Sequence, residues 1–499
     1  MDFITLLTVI AFLLIALNIT STDKNPMVML VGLGLLGVTV VTRLLSGGGF
    51  FETFTPLFTD VGLSLLIAAG WLALRKANAN PQPFFVLGLL SLGIAGACYV
   101  GAQFFGRADT RTPAEQGTFL LELGPDDRID EVASVLEHYR ASYERAFPTI
   151  TLDTDEDLAQ IYLVYGDPAS FDALMAALRE DAENVDFVEL NRTVSLTPPV
   201  ESETPVEITR RYLENDPLVS NQWGLEGIQG HEAHAILREL TPVRKARVAI
   251  VDTGVDGKHE DLQSVFLKSP GATDPHGHGT HCAGIAGGAT NNNLGIASLN
   301  WNDAFVEVTG YRALGATGSG SLESIAQAVI DAAKGDADVI SMSLGDTAPR
   351  PPKVLVDAIE FAQRRGAIVL ASAGNSNRDA YNHFPSNIKG VMAISAVDQN
   401  LNKAGFSNTN TSLTRPLAAP GVDILSLVPG NEYRTMSGTS MATPVVAGLL
   451  GVMRALNPDL TAEQAYSILH ETGTVVRDSD RVGRVVNAEA AILAVRVAL

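Results

Sequence analysis

Four long apolar runs lie before residue 107, and they constrain this chain more than any other feature. They are Phe3–Ile19, Met27–Leu45, Leu57–Leu74 and Phe84–Phe105, separated by the polar breaks Thr20–Pro26, Ser46–Thr55 and Arg75–Pro83. Each is about 17–22 residues long, the length a helix needs to cross ~30 Å of hydrocarbon. A cleaved signal peptide accounts only for the first run, and no small-residue cleavage site stands out after it. Residues 1–107 are therefore expected to form an all-α transmembrane bundle of four helices with the lipid bilayer as partner. No run carries a set of ionisable residues that would suggest transport, so the bundle reads as an anchor. Gly32, Gly34 and Gly37 suit close helix packing. Four spans leave both ends of the bundle on one side. Lys24, Arg75 and Lys76 fall opposite the C-terminal region, and Arg43, Arg107 and Arg111 fall beside it. That balance assigns no orientation by the positive-inside rule.

The 499 residues suffice for two or three domains, and the formal net charge of -21 sits almost wholly after the apolar runs. Nucleic acid is not an expected partner of so acidic a chain, because phosphate binding needs clustered Lys and Arg. Cys98 lies in an apolar run and Cys282 in a distant polar motif, so no disulfide between them is expected.

Residues 108–197 read as a small α+β domain. Thr118–Leu123 alternates like a strand. Asp130–Phe147 has helical spacing, with Val132, Val135, Leu136 and Tyr139 on one face. Leu158–Tyr165 reads as a strand and Pro168–Ala182 as a helix turning Phe171, Leu174, Met175 and Leu178 inward. Val185–Leu196 closes the domain as a strand. Residues 198–214 read as a linker, exposed over Pro198–Pro205.

Residues 215–499 alternate strands and helices. Arg247–Val251, Ala304–Tyr311, Val339–Ser343, Ala367–Ser372 and Val391–Val397 are predicted strands. His278–Gly287, Ile325–Lys334, Val354–Arg364 and Val445–Leu456 are predicted helices. The pattern predicts an α/β fold of three layers, a mostly parallel sheet with helices on both faces. Such folds carry reactive groups at the carboxyl ends of strands. Three motifs stand at such places: Val248-Ala-Ile-Val-Asp252-Thr-Gly254, His276-Gly-His278-Gly-Thr-His281-Cys282-Ala-Gly284 and Ser437-Gly-Thr-Ser440-Met-Ala-Thr-Pro444. A serine hydroxyl needs a base within hydrogen-bond reach, and the base needs an orienting carboxylate. Asp252, His278 and Ser440 can supply all three. A fourth segment, Ala371-Ser-Ala-Gly374-Asn375, ends a strand with an amide able to donate to an oxyanion, beside the Ser440 N–H at a helix start. His281 is expected to be structural, bonded to backbone, and Cys282 a small buried filler.

These four motifs, in this order, are similar to those of the subtilisin-like serine proteases, the subtilases, from about Asn215 to the C-terminus. The resemblance implies a serine endopeptidase acting on polypeptides through an acyl-enzyme. By position, Asp252 orients the histidine, His278 is general base and acid, Ser440 is the nucleophile, and Asn375 lines the oxyanion hole. Cys282 resembles the thermitase and proteinase K branches. Gly318, Ser319 and Gly320, with Ser343, Leu344 and Gly345, resemble the two edges that sandwich an extended substrate. Leu344 with Ala373 and Gly374 would wall a P1 pocket, and the absence of an evident charge there predicts apolar or aromatic P1 residues. A structural Ca²⁺ is implied at Asp216, Asp261, Ala289, Asn292, Leu294 and Ile296, whose donors suit calcium. Ser298–Trp301 departs from the family pattern beside that loop, and Val445 replaces a frequent His after the proline. The middle segment resembles, more loosely, the inhibitory propeptide that occupies the cleft of such enzymes. It implies a zymogen with its own prodomain as intramolecular inhibitor, autocleaved before Asn215, and a peptidase region on the extracytoplasmic side. The alternative function is a catalytically silent member of the fold that only binds.

Overall fold

The computed structural model describes residues 118–197, 200–201, 212–267 and 273–497. The predicted membrane runs and most of the predicted linker lie outside the described residues.

Strand β1 (Thr118–Leu123) is buried at every position because both of its faces find apolar partners. It sits inside a four-stranded antiparallel sheet with β2 (Ser142–Arg145), β3 (Ile161–Tyr165) and β4 (Val185–Leu190), in the order β2-β3-β1-β4. Phe119, Leu121 and Leu123 point to one face, where Leu136 of α1 (Ala133–His138) and Phe171, Leu174, Met175 and Leu178 of α2 (Phe171–Glu180) close a core. Leu120, one residue out of phase, joins a different core on the opposite face.

Two predicted elements change here. The helix expected over Asp130–Phe147 stops at His138. Arg140 has φ 54°, Arg140 N–H donates to the Glu137 carbonyl at 3.0 Å and Ala141 N–H to the Leu136 carbonyl at 2.8 Å. This pair of bonds ends a helix at a left-handed residue, a place glycine usually takes. An arginine there gave no stop signal, and the chain beyond it becomes β2. The strand expected over Val185–Leu196 splits at Asn191–Arg192 into β4 and β5 (Thr193–Ser195), which belong to different sheets. A further short strand, β6 (Val200–Glu201), follows.

The larger sheet has seven parallel strands: β7 (Ala246–Asp252), β8 (Val306–Arg312), β10 (Val339–Met342), β11 (Ile368–Ser372), β12 (Met392–Val397), β13 (Pro416–Pro420) and β16 (Arg484–Val485). Their order is β16-β13-β12-β11-β10-β7-β8. The short β9 (Ser319–Ser321) and the hairpin β14 (Ile424–Val428) and β15 (Glu432–Ser437) lie outside it. Alternate residues of the parallel strands serve opposite cores. Val248 and Ile250 meet one core with α4 (His278–Gly287) and α7 (Thr439–Leu456). Ala249 and Val251 meet the other with α5 (Leu322–Lys334) and α6 (Lys353–Arg364). That is the three-layer α/β arrangement, and burial on both faces explains the unbroken apolar strands. Among the described residues α7 is the one helix long and apolar enough to cross a membrane, yet all 18 of its residues are buried in this core. It lies so close to α4 that a Cβ on Gly448 would stand 2.4 Å from the Ala286 carbonyl oxygen.

The second core also takes in the small sheet. Leu120, Phe147, Ile150, Leu158 and Ile161 pack with α5 and α6. Glu189 accepts from the Lys353 and Val354 N–H groups at 3.1 and 2.9 Å, capping the start of α6.

Candidate active site

Asp252 is the last residue of β7, and Gly254 two residues on has φ 105°. That turn brings the strand end against the first turn of α4. A Cβ on Gly279 would stand 2.0 Å from the Gly254 carbonyl oxygen, so only glycine lets the two meet. His278, the first residue of α4, thereby reaches Asp252: Nδ1 to Oδ1 is 2.8 Å, with both side chains buried. Since the carboxylate accepts, Nδ1 carries the proton, and in the neutral ring Nε2 keeps its lone pair. Burial opposes a charged imidazole, yet His278 is held well above its ordinary value, with the adjacent Asp252 carboxylate the strongest of the groups that raise it.

Asp274, which the motif reading passed over, fixes this geometry. Its Oδ1 accepts from Thr253 Oγ1 at 2.8 Å, His276 N at 3.0 Å and Gly277 N at 2.8 Å. Its Oδ2 accepts from Thr280 N at 2.8 Å and Thr280 Oγ1 at 2.7 Å. The carboxylate thus satisfies the free donors at the start of α4 and ties them to the residue after Asp252. Each such buried donor left unmet costs about 1–3 kcal/mol. Its sequence signal was an acid shortly before a helix start.

Ser440 is the second residue of α7, where an N–H has no intrahelical acceptor. Its Oγ donates to the Ser343 carbonyl at 3.1 Å, and Ser343 Oγ returns a bond to the Ser440 carbonyl at 2.8 Å. Nε2 of His278 is buried with no partner among the described residues. The hydroxyl is therefore bonded to the Ser343 carbonyl rather than to the base. Cys282 lies behind both groups, with Sγ 4.0 Å from His278 Nδ1 and 3.4 Å from the Ser440 carbonyl oxygen. Burial raises its thiol above the usual value, so it stays protonated filler. His281 bonds the Arg434 carbonyl through Nε2 at 2.9 Å and is pulled down to about 3 by burial, a neutral structural ring.

Asn375 is held next to Ser440 by the residue between. Its Oδ1 accepts from Thr439 N at 2.9 Å and Thr439 Oγ1 at 2.8 Å. Fixing the carbonyl end leaves the amide N–H donors as the end free to meet an oxyanion.

One of the two predicted substrate edges is occupied by the chain itself. β5 pairs antiparallel with β9, with Thr193 opposite Ser321, Val194 opposite Gly320 and Ser195 opposite Ser319. Leu196 N–H continues the ladder to the Gly318 carbonyl at 2.8 Å. The second edge, Ser343, Leu344 and Gly345, forms no ladder with β5 among the described residues. Leu344 is buried in the core. The P1 walls hold a surprise. His383 stands between Gly345 and Gly374: Cβ atoms built there would lie 3.0 and 2.7 Å from its Nε2. Burial pulls His383 down to about 4, so it is neutral. The expected absence of a charge beside Ala373 and Gly374 is compatible with this neutral imidazole, but the ring takes up space between Gly345 and Gly374. Nothing in the local sequence signalled it, because the ring arrives from another loop.

Asp216 and Asp261 meet the same loop. Asp216 accepts from Asn291 N at 2.8 Å and Asn292 N at 3.1 Å; Asp261 accepts from Asn292 Nδ2 and Ile296 N, each at 2.8 Å. Ala289 N–H donates to the Asp261 carbonyl at 2.9 Å, and Leu294 N–H to Asn292 Oδ1 at 2.8 Å. Burial pushes Asp261 up to about 7, with the Asp216 and Glu260 charges adding to it. Two buried carboxylates meeting one loop supply the oxygen donors that suit a hard divalent cation. Ser298, the first departure from the family pattern, closes the loop through bonds to Thr290 and Gly288 rather than opening it.

Comparison with known proteins places this geometry. Residues 244–487 match the subtilase family model. M-protease of Shouchella clausii (strain KSM-K16) is 36% identical over 320 residues, 62% of this chain and 77% of that protein. Subtilisin Savinase of Lederbergia lenta is 37% identical over 275 residues, 54% of this chain and 97% of that protein. Thermitase of Thermoactinomyces vulgaris is 38% identical over 250 residues, 48% of this chain and 85% of that protein. A solved structure of a protease from Pseudoalteromonas arctica PAMC 21717 superposes with a TM-score of 0.51 at 28% identity, covering 56% of this chain and 99% of that one. With its aspartate and histidine joined at the carboxyl edge of a parallel sheet, this chain belongs to the subtilase family and is a serine protease of it.

Proposed function

We propose that this subtilase is a membrane-anchored endopeptidase made as a zymogen, with residues 108–197 as its inhibitor in cis. The observation that carries the reading is the pairing of β5 on β9, since main-chain pairing along one open edge is how an extended peptide binds with little sequence preference. β6 then pairs with β15, Val200 opposite Ser437 and Glu201 opposite Met436, three residues before Ser440. The segment thus approaches the nucleophile from one edge and leaves along another. Of the four peptide bonds between Leu196 and Val200, three involve Pro198 or Pro199. Proline lacks the N–H and the free φ that a substrate strand uses. Autocleavage is accordingly placed later, in the linker before Asn215.

In the reaction, rotation about the Ser440 Cα–Cβ bond carries Oγ from the Ser343 carbonyl to Nε2 of His278. The imidazole takes the proton as Oγ attacks the substrate carbonyl carbon, and Asp252 stabilises the imidazolium. The oxyanion meets the Asn375 amide and the Ser440 N–H. His278 then returns the proton to the leaving amine, and water releases the acyl group by the same steps reversed. Asp216, Asp261 and Asn292 would hold a Ca²⁺ that neutralises the crowded carboxylates and stiffens the loop. His383 restricts P1 to side chains more compact than the apolar or aromatic ones first expected.

The deciding experiment uses a fluorophosphonate probe on detergent-solubilised protein before and after prodomain removal. Labelling of Ser440 that rises on removal supports the reading; no labelling in either state leaves a binding module instead. Protease protection in sealed vesicles tests the proposed extracytoplasmic face.

A further inference from the structure

A second cluster of chemistry-bearing side chains lies away from the triad. Glu214, the last residue of the linker, meets His231 and His234 on α3 (Gly230–Leu237). The two histidines are three residues apart and so share one helix face. His231 Nδ1 lies 2.8 Å from Glu214 Oε1, and His234 Nδ1 contacts the same oxygen. The Glu214 and His234 side chains have no solvent exposure, and His231 has 9%.

Hydrogen-bond accounting shows what the cluster lacks. His234 Nε2 lies 2.7 Å from the Ser298 carbonyl oxygen, which can only accept. Nε2 therefore carries the proton, and in a neutral ring Nδ1 is a bare lone pair. That lone pair faces a carboxylate oxygen. Two acceptors do not face each other in a closed site without a cation between them. Glu214 Oε2, meanwhile, is buried without any partner. The cation is either one proton on His234 or a metal ion.

Three features favour the metal. An imidazole that donates one nitrogen's proton to a backbone carbonyl and offers the other inward is the usual arrangement of a metal-ligating histidine. Two histidines converge where an ion pair needs one. Their three donor atoms lie within 4.8 Å of one another. Zn²⁺ takes nitrogen and carboxylate oxygen at about 2.0–2.2 Å, and a His₂Glu set leaves a fourth position for water. The ligands need only move apart slightly to admit the ion, and His231, at the solvent edge, gives it an entry. Tyr212 lies against the His231 ring at 4.7 Å and Trp301 against His234 at 5.4 Å, which limits their other motions.

We propose that Glu214, His231 Nδ1 and His234 Nδ1 form a structural site for a divalent ion of the Zn²⁺ class. The ion clips the end of the linker to α3 and, through Ser298, to the loop beside Asp216 and Asp261. It is distinct from the hard-oxygen site proposed there, because nitrogen donors select softer, borderline ions.

The test uses full-length protein in detergent, with Ser440→Ala to prevent autolysis. The sample is stripped with a chelator and returned to Ca²⁺-containing buffer. Zn²⁺ is then titrated, with bound metal counted by mass spectrometry and the melting midpoint followed; Co²⁺ gives a visible spectrum. One Zn²⁺ per chain, a rise in midpoint and an intense tetrahedral Co²⁺ spectrum are expected. His231→Ala, at the solvent edge, and Glu214→Gln should each weaken binding at least about tenfold, while Cys282→Ala should leave it unchanged. No stoichiometric metal, or metal kept in His231→Ala and Glu214→Gln, overturns the proposal and leaves a protonated His234 paired with Glu214. Loss of the metal in Cys282→Ala overturns it too, by moving the ion to the triad.

Discussion

Ser440 Oγ rests on the Ser343 carbonyl at 3.1 Å, while the lone pair it must reach, on His278, has no partner. The nucleophile and its base are thus not hydrogen-bonded to each other in this structure. Ser440→Ala should lower kcat by about 10⁶. Asn375→Ala should lower kcat by about 10²–10³ with KM little changed, because its amide acts on charge that exists only in the transition state. Steady-state kinetics on a peptide substrate, after prodomain removal, check both. A normal kcat in the Asn375 variant would take that residue out of the mechanism.

The His278 pKa stands above its ordinary value against the effect of burial, with the Asp252 carboxylate the strongest of the groups that raise it. Only the neutral ring is a base, so kcat/KM should climb with pH and its acid limb should lie above about 6.5. Asp252→Asn should move that limb down and cut kcat by about 10⁴. A pH profile of both proteins measures this. An unmoved limb would assign the titration to another group.

Glu122 and Asp357 crowd each other where the small sheet meets α6. Burial, with the Asp357 charge adding, pushes Glu122 up to about 8; burial likewise pushes Asp357 up to about 6 despite Lys353 at 2.5 Å. A raised carboxyl pKa means the docked state binds more protons than the separated one. Docking is then strongest below about 4.5, weakens as pH rises and levels off above about 8. Dissociation constants of a cleaved prodomain across that window should show this trend, and Glu122→Gln should flatten it. Tighter docking at pH 8 than at pH 5 would contradict the assignment.

His383 fills the space between Gly345 and Gly374. His383→Ala should open the P1 pocket and raise kcat/KM for Phe or Tyr at P1 by about 10-fold or more relative to Ala. A P1 peptide library reads the change; identical profiles would place the ring outside the pocket.

Chelation should lower the melting midpoint, and Asp261→Asn should remove that sensitivity to Ca²⁺ without changing the Zn²⁺ count. Equal Ca²⁺ responses in both proteins would count against the loop Asn291–Ile296 as a calcium site.

Local patterning in the sequence carried much of this. Apolar runs bounded by turn residues located β7, β10, β11 and β12 to within a residue or two, and His278–Gly287 began and ended where the structure has α4. The order of the aspartate, histidine and serine motifs named the chemistry, since those side chains sit at element ends whatever the packing. Other features needed the third dimension. Arg140 takes a glycine's conformation, β5 leaves its own sheet for β9, Asp274 gathers donors from four other residues, and Ser440 turns toward Ser343. His383 and the Glu214–His231–His234 cluster likewise arise from residues distant in the chain. Periodicity reports which face of an element is apolar, but not which other element covers it. That choice belongs to tertiary packing, and here it decides where each polar group finds its partner.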